Sequence, residues 1–242
     1  MGKYVVGVDV GGTTVKLGFF DTEGVFLDKW EIPTRVEEEG SHILPDVAES
    51  IKKKLEEKRI LFEDVAGVGI GAPGPIDSNG VVYKAVNLGW NVFSIKEKLE
   101  EHLKLPVMAG NDANVAALGE MWKGGGLGSR NLVMVTLGTG VGGGIIVDGR
   151  ILTGFTGAGG EIGHIHVEDQ EAEVCGCGNK GCLEQYASAT GITRLANRKL
   201  KESGMDSMLR NGKISARTVF DAVKAKDALA MEVAEEFGRY LG

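Results

Sequence analysis

The chain has 242 residues, of which 43% are hydrophobic and 25% charged, so it can form one large core or two modest ones. A net charge of −7 argues against binding the phosphate backbone of nucleic acids. No apolar run approaches the roughly 18 residues that span a bilayer, and no signal peptide is visible. We therefore expect a cytoplasmic protein that binds neither nucleic acid nor membrane, with cysteines that are thiols or metal ligands.

The first half of the chain predicts alternating strands and helices. Residues 3–10, 15–20 and 25–32 predict a three-strand meander, because short β-rich runs are separated by glycine or Asp/Gly turns. The elements predicted next are a helix at 42–58, a strand at 65–73, a helix at 94–103, a strand at 105–110 and a helix at 112–122. Ser94 is the expected N-cap of its helix, and Asp112 stands at the N-terminus of the last one.

The second half repeats part of this pattern. Strands are predicted at 131–137, 144–147 and 151–154, again joined by a glycine turn and then an Asp/Gly turn. This repeat suggests an internal duplication. After residue 183 the pattern is helical, and it ends in a helix at 227–241.

Glycine is strongly enriched, with 38 residues where a usual composition gives roughly 17. A first glycine turn lies between strands and is not a Walker loop, because it lacks GxxxxGK[ST] and no helix follows. Its backbone N–H groups, hydroxyls and lysine can contact phosphate, and Asp9 can hold Mg²⁺ through water. An ordinary hairpin is the alternative. The candidate residues are Asp9, Gly11, Gly12, Thr13, Thr14 and Lys16.

A second glycine turn, residues 138–143, contains GxGxxG after a predicted strand. A dinucleotide fold would require a helix to follow, but the next residues predict a strand, so we reject a dehydrogenase. A second phosphate-binding hairpin fits better. Its candidate residues are Gly138, Thr139, Gly140 and Gly142.

All three cysteines, Cys175, Cys177 and Cys182, fall within eight residues, and His164 precedes them by eleven positions. Three thiolates and one imidazole make a closed tetrahedral set, which is typical of structural zinc. His166 is an alternative fourth ligand. Incidental thiols are the other interpretation, and a disulfide would leave one cysteine over in a reducing compartment.

Several motifs, in order along most of the chain, resemble the ROK family (repressors, open reading frames and sugar kinases), and within it the bacterial glucokinases. They are DVGGTTVK (9–16), GIGAPGPID (69–77), NLGW (87–90), NDANVAALGE (111–120), LGTGVGGGI (137–145), GAGGEIGHI (157–165) and CGCGNKGCLEQYAS (175–188). The resemblance implies an actin-like, duplicated α/β fold of the hexokinase and ribonuclease H type, with the active site in an interdomain cleft. We expect a small domain at 1–110 with the first hairpin, and a larger domain at 111–242 with the catalytic Asp, the second hairpin and the zinc.

The resemblance also implies ATP-dependent phosphorylation of glucose at the 6-hydroxyl, with Mg²⁺, structural Zn²⁺ and often a homodimer. Asp112 would be the general base, and the loop 71–75 would line the sugar pocket. His164 would serve both zinc and sugar. The residues expected to contact sugar are Asn87, Asn111, Asp112, Glu161, His164 and Glu184.

The chemistry of these residues agrees with that expectation. Phosphoryl transfer depends on positioning and charge stabilisation, and a carboxylate must accept the proton of the attacking hydroxyl. Asp112 follows a strand and opens a helix, which would hold it rigidly, although plain N-cap duty is the alternative. Glu161 and Glu184 can each accept paired hydroxyls, and zinc would brace His164 without doing chemistry.

The family usually continues beyond a helix like 227–241 into a further strand, a glycine loop at adenosine and more helices. We therefore expect a shortened chain with an incomplete adenosine site and weakened ATP binding. Rival functions are a kinase for mannose, fructose, N-acetylglucosamine or N-acetylmannosamine, and a non-catalytic sugar-binding regulator. Family repressors carry a helix-turn-helix before the kinase-like part, whereas this chain starts at the first strand, so we do not expect DNA binding.

Overall fold

The computed structural model describes residues 2–242. The chain forms two compact units, one running up to Val133 together with Gly144–Gly160, the other comprising Met134–Gly143 and Glu161–Gly242. The predicted boundary between residues 110 and 111 falls inside the first unit. The division into domains 1–110 and 111–242 stays a prediction.

Strands dominate the first part of the chain, and helices dominate the end. The strands are β1 Tyr4–Val10, β2 Thr14–Asp21, β3 Phe26–Pro33, β4 Val65–Ala72, β5 Val81–Val82, β6 Phe93–Ser94, β7 Val107–Asn111, β8 Leu132–Leu137, β9 Val141–Val147 and β10 Arg150–Ile151. The helices are α1 Glu37–Gly40, α2 Ile43–Lys58, α3 Ile95–Leu103, α4 Asp112–Lys123, α5 Glu184–Ala187, α6 Ala189–Glu202, α7 Ala216–Lys224 and α8 Ala228–Leu241. No helix among residues 2–242 is both long and apolar enough to cross a bilayer.

The main sheet of the first unit has the strand order β3-β2-β1-β4-β7. The predicted meander is confirmed, since β1, β2 and β3 pair antiparallel in sequence order, whereas β4 and β7 join in parallel. This topology puts the carboxyl ends of β1, β4 and β7 at one edge of the sheet, where the loops that follow them meet. The first glycine turn and the start of α4 lie at that edge.

Helix α2 forms the hydrophobic layer over this sheet. Its apolar residues recur every three or four positions, so they share one face, and that face is buried against strand residues such as Val8, Phe19 and Ile70. The buried residues of α2 are Ile43, Leu44, Val47, Ala48, Ile51 and Leu55. This packing fixes the sheet whose edge carries the candidate site.

Caps define the helix starts. Ser94 caps α3 as predicted, accepting from the N–H of Glu97 at 3.1 Å. Helix α4 is capped by Asn111, whose Oδ1 accepts from the N–H of Asn114 at 3.2 Å. The alternative interpretation of Asp112 as a plain N-cap is therefore wrong, and its carboxylate is the first helical side chain.

The second repeat of the strand pattern also forms a sheet, in the order β10-β9-β8. Glycine is required where β9 meets α4, because a Cβ at Gly144 would lie 2.4 Å from the Cβ of Ala117 and 2.8 Å from the carbonyl oxygen of Ala113. The helix that carries Asp112 can approach this strand closely only because the strand has no side chain there.

The helices of the second unit pack around their own core, which includes Leu195, Val219, Leu229 and Val233. Helix α7 starts at a capping box in which Ser215 and Thr218 satisfy each other's backbone N–H groups. Asp227 caps α8, and its carboxylate also accepts from the hydroxyl of Ser207 at 3.0 Å. This bond ties the start of α8 to the connection between α6 and α7. The core holds α5 and α6 in place beside the cysteine loop.

Candidate active site and metal cluster

The first glycine hairpin presents polar groups at the end of β1. Asp9 and Lys16 are direct partners across β1 and β2, and both are exposed. A hydrogen bond from the N–H of Gly11 to the carbonyl oxygen of Thr14 (3.1 Å) closes the turn. A Cβ at Gly12 would meet no atom within 4 Å, so the tip is open for close approach of a ligand.

Thr34 braces this hairpin and was missed from the sequence. Its hydroxyl donates to the carbonyl oxygen of Gly11 at 2.7 Å, and its N–H donates to that of Thr13 at 2.9 Å. The contact joins residues more than twenty positions apart, and no local motif marks it. Thr34 therefore fixes two backbone carbonyls, which leaves the N–H groups at the tip for a ligand.

Asn111 and Asp112 lie where β7 ends and α4 begins. The Asn111 side chain is buried and already occupied: Oδ1 caps α4, and Nδ2 donates to the carbonyl oxygen of Gly74 at 3.1 Å. Its second amide N–H and the second lone pair of Oδ1 can still serve a substrate. Three residues on, Oδ1 of buried Asn114 has no hydrogen-bond partner within the described part of the chain.

The Asp112 carboxyl group has a raised pKa. Partial burial raises its pKa above the ordinary value of 3.8; the N–H of Ala113, at 2.7 Å, opposes this, and the negative charge of Asp9 adds to it. The residue nevertheless stays accessible to solvent. A carboxylate with a raised pKa accepts a proton more readily than an ordinary aspartate, so Asp112 is suited to general base catalysis.

The loop 71–75 packs against residues 83–85, which lead into the turn that carries Asn87. Gly74 has φ +92°, and a Cβ there would lie 2.2 Å from the carbonyl oxygen of Lys84, so only glycine fits. Asn87 is exposed in the short 3-10 helix Val86–Leu88, whose Leu88 is buried. The exposed amide of Asn87 is therefore presented from an anchored turn.

The second hairpin links β8 to β9. A hydrogen bond from the N–H of Gly138 to the carbonyl oxygen of Gly140 (3.0 Å) closes it, and Gly138 in turn accepts from the N–H of Ala189 at 2.9 Å. Thr139 is exposed at the tip, and Gly142 follows in β9. The sequence after the turn is a strand, so the reason for rejecting a dinucleotide fold is confirmed.

The predicted metal ligands come together. One ligand atom from each of His164, Cys175, Cys177 and Cys182 lies within 4.8 Å of all the others. The Sγ atoms of Cys177 and Cys182 are 3.6 Å apart, and Nδ1 of His164 is 3.8 Å from Sγ of Cys175. Sulfurs bound tetrahedrally at about 2.3 Å from one Zn²⁺ lie roughly 3.8 Å apart, so this donor set fits zinc.

His166 is not part of this cluster. Its Nδ1 lies 2.9 Å from the carbonyl oxygen of Lys180, and its Nε2 lies 2.8 Å from the Asp169 carboxylate. Both ring nitrogens are therefore engaged, and among residues 2–242 the grouped ligand atoms include His164 instead. The alternative of His166 as fourth ligand is not supported.

The cysteine loop folds around turns that its glycines permit. The carbonyl oxygen of Cys175 accepts from the N–H of Gly178 at 2.8 Å, and the N–H of Cys175 donates to the carbonyl oxygen of Asn179 at 2.7 Å. Gly178 and Gly181 have φ of +93° and +69°, and a Cβ at Gly181 would lie 2.0 Å from the carbonyl oxygen of Glu168. These turns bring the sulfurs to one point.

Gln185 closes the loop, a role that no pattern in the sequence indicates. Its Oε1 accepts from the N–H of Cys182 at 3.0 Å, and its Nε2 donates to the carbonyl oxygen of Glu173 at 3.1 Å. A single side chain therefore ties the end of the cysteine loop to the residues before its first ligand. Groups of this kind orient metal ligands without touching the metal.

The remaining predicted sugar residues surround the cluster. Nε2 of His164 faces Glu161 at 3.8 Å, while Nδ1 faces Glu184 at 3.8 Å. Oε1 of Glu184 lies 3.0 Å from Sγ of Cys175. Burial raises the pKa of the Cys175 thiol, so a metal must displace a proton to bind there. The imidazole thus has one nitrogen toward the sulfurs and the other toward a carboxylate.

The predicted site residues thus form two groups, each within one unit. The first contains the hairpin of Asp9, the loop 71–75, Asn87, Asn111 and Asp112. The second contains the hairpin of Gly138, the metal ligands, Glu161 and Glu184.

Comparison with known protein families identifies one match, described as the ROK family, over residues 5–242. The chain belongs to the ROK family. A glucokinase of Halalkalibacterium halodurans is 48% identical over 245 aligned residues, which cover 99% of this ROK chain and 74% of that protein.

Solved ROK structures share the fold. A glucokinase from Streptomyces griseus, in complex with glucose and AMPPNP, has a TM-score of 0.75 at 34% identity, with 98% of this chain and 76% of that chain covered. A ROK transcriptional regulator, homologous to the E. coli MLC protein, has a TM-score of 0.85 at 26% identity, with 100% and 61% covered. The prediction of an actin-like α/β fold of the hexokinase type is confirmed.

Proposed function

We propose that this ROK chain transfers a phosphoryl group from ATP to the 6-hydroxyl of glucose, with Asp112 as the general base. Its class, a hexokinase-type phosphotransferase, is confirmed by glucokinase relatives that match nearly the whole chain. The observation that carries the mechanism is the Asp112 carboxyl group, accessible to solvent and with a raised pKa, at the start of α4.

Asp112 accepts the proton as the sugar hydroxyl attacks, which makes the oxygen a better nucleophile. Its partner Asn111 keeps the helix start and the Gly74 loop together, so the base and the pocket wall are held as one piece. Such positioning is where an enzyme of phosphoryl transfer gains most of its rate, because the protein does little covalent chemistry itself.

The two glycine hairpins would contact the phosphates of ATP. The open tip at Gly12 and the exposed Thr13 and Lys16 offer N–H groups, a hydroxyl and a cation. Thr139 offers a further hydroxyl from the second hairpin. Asp9 would hold Mg²⁺ through water, and the bound ion would neutralise charge on the phosphates.

Glu161, His164 and Glu184 would accept and donate hydrogen bonds to sugar hydroxyls, with Asn87 and Asn111 contributing amides. Zinc on His164 and the three cysteines would fix the imidazole through Nδ1 and leave Nε2 toward Glu161 and the sugar. The ligand set is closed, so zinc would serve structure rather than catalysis.

A coupled ADP-release assay tests this function. Glucose should be the preferred acceptor in a panel with mannose, fructose, N-acetylglucosamine and N-acetylmannosamine, measured with MgATP. Preference for another hexose would support the kinase activity and assign it a different sugar substrate. No ADP release with any sugar would reject the proposal.

A sugar-binding regulator is the second candidate, because the ROK regulator shares the fold at a TM-score of 0.85. Such a protein would bind sugar without turnover. The raised pKa of Asp112 favours the kinase, since a protein that only binds sugar needs no tuned base.

A further inference from the structure

The segments that carry the metal ligands contact the second glycine hairpin. A Cβ at Gly163, the residue before His164, would lie 2.1 Å from the carbonyl oxygen of Val141, so the two backbones are in direct contact. Val141 is also buried in one cluster with Leu183, the residue after Cys182. Val141 therefore packs with two segments that each contain a metal ligand next to the contact.

The Glu184 carboxylate connects the same two features. Its Oε1 lies 3.0 Å from Sγ of Cys175, at the cluster. Its Oε2 faces the hairpin, where a Cβ added to Gly140 would lie 2.5 Å away. One carboxylate thus reaches from a metal ligand to the glycine at the hairpin tip, and neither oxygen can shift without changing the contact of the other.

A backbone hydrogen bond completes the connection. The N–H of Ala189 donates to the carbonyl oxygen of Gly138 at 2.9 Å. Ala189 begins α6, whose N-cap Ser188 is buried and accepts from the N–H of Gly191 at 2.9 Å. The hairpin is thus bonded to a helix start only seven residues beyond the last metal ligand.

We infer that metal binding at the cysteine cluster controls the order of the hairpin at residues 138–141. Through this hairpin it also controls the binding of nucleotide phosphate. A metal bound to His164 and to the cysteines would cross-link the two segments that hold Val141. Backbone hydrogen bonds between the same segments, such as that from the N–H of Leu183 to the carbonyl oxygen of Ile165 at 2.9 Å, would remain without metal, so loss of the cross-link would loosen the two segments beside the hairpin rather than separate them. The part concerning phosphate rests on the proposed function; the coupling itself needs no substrate.

Coupling between two sites is reciprocal in free energy. A change in the hairpin that displaces Glu184 should therefore change metal affinity, although no hairpin residue is a ligand. Residues that orient metal ligands commonly change metal affinity by about 10- to 100-fold when altered. This reciprocity gives a test that does not depend on phosphoryl transfer.

The first experiment compares amide hydrogen exchange of the zinc-loaded chain and the chelator-treated chain, with metal content verified in each. We expect the amides of residues 138–141 and Ala189 to exchange about tenfold faster or more without metal, while those of α8 around Val233 stay protected. Unchanged exchange in the hairpin, or equal acceleration in α8, would overturn the inference.

The second experiment measures zinc affinity by competition with a chromogenic chelator. Gly140→Ala should change zinc affinity about tenfold or more, because its methyl group displaces the Glu184 carboxylate from its place beside Cys175. Gly138→Ala is the matched control: its Cβ would meet no atom within 4 Å, so zinc affinity should stay at the parent value. Equal affinity in both variants would contradict the coupling.

The two proposals can fail separately. Coupling without ADP release from any hexose would reject the kinase and retain the inference. Phosphorylation of a hexose by a chain whose hairpin exchange does not depend on metal would support the kinase and reject the inference.

Discussion

The side-chain amide of Asn111 joins two parts of the candidate pocket by donating to the carbonyl oxygen of Gly74 at 3.1 Å while its oxygen caps α4. The residue next to the proposed base is thus a structural link as well as a candidate sugar contact. Its two roles can be separated by experiment.

Asn111→Ala should lower the free energy of unfolding by about 2–3 kcal/mol, since an N-cap and a buried hydrogen bond are both lost. It should also raise KM for the sugar, because the Gly74 loop is released. Urea unfolding and steady-state kinetics measure the two effects. Ser94→Ala removes the N-cap of α3 alone, so it should cost about 1 kcal/mol and leave KM unchanged.

Asp112→Asn should reduce kcat by about 10²- to 10⁴-fold, the usual contribution of a general base, while calorimetry shows glucose binding close to that of the parent. Asp148→Asn makes the same chemical change at an exposed turn position and should leave kcat unchanged. Turnover retained in Asp112→Asn would exclude this residue as the base.

The pH dependence of turnover should report the same carboxyl group. Because the pKa of Asp112 is raised, its protonated, inactive form persists to a higher pH than for an ordinary aspartate. Measured from about pH 8.5 down to below 3.8, kcat/KM should fall on acidification with a midpoint above 3.8. A kcat/KM that stays level down to pH 3.8 would argue against Asp112 as the titrating base.

Metal content should depend on His164 and not on His166. Elemental analysis should find about one zinc per parent chain, and His164→Asn should lose most of it because a ligand is removed. His166→Asn should retain the metal, since that ring binds Lys180 and Asp169. Zinc lost equally from both variants would place the fourth ligand in doubt.

Acid stability should depend on Glu171. Burial alone would raise its pKa, but hydrogen bonds from Arg194, Tyr186 and the N–H of Glu173 outweigh it and lower the pKa from 4.5 to about 2. The folded-state pKa lies below the unfolded value, so this stabilisation is full above about pH 4.5 and is lost as the pH falls toward 2.

Glu171→Gln should therefore lower the free energy of unfolding by about 2–3 kcal/mol at pH 7, with a smaller difference from the parent near pH 3. Denaturant unfolding at both pH values measures this. Glu173→Gln, which removes the more exposed carboxylate beside the same Arg194, should cost less than about 1 kcal/mol. A parent-like pH dependence in Glu171→Gln would contradict the assignment.

The elements with strong local signals were predictable. The meander, the N-cap at Ser94 and the hairpin nature of both glycine turns follow from periodicity, turn residues and what comes next in the chain. The metal ligands followed from spacing, because cysteines this close in sequence are constrained to be close in space.

The supporting contacts were not predictable in the same way. Thr34 and Gln185 act on residues brought near only by folding, and no periodicity marks them. The choice between His164 and His166 depended on which ring nitrogens were already hydrogen-bonded, which spacing cannot show. The two-residue strands β5 and β6 are too short to leave a pattern.

The contact of Gly144 with Ala117 has a consequence for how this chain can vary. The distance between the helix that carries Asp112 and the strand that continues the second hairpin is set by two missing or minimal side chains. A larger residue at either position would push helix and strand apart and move Asp112 without contacting it. The tolerance of this enzyme to substitution should therefore be low at Gly144 and Ala117, although neither residue takes part in its chemistry.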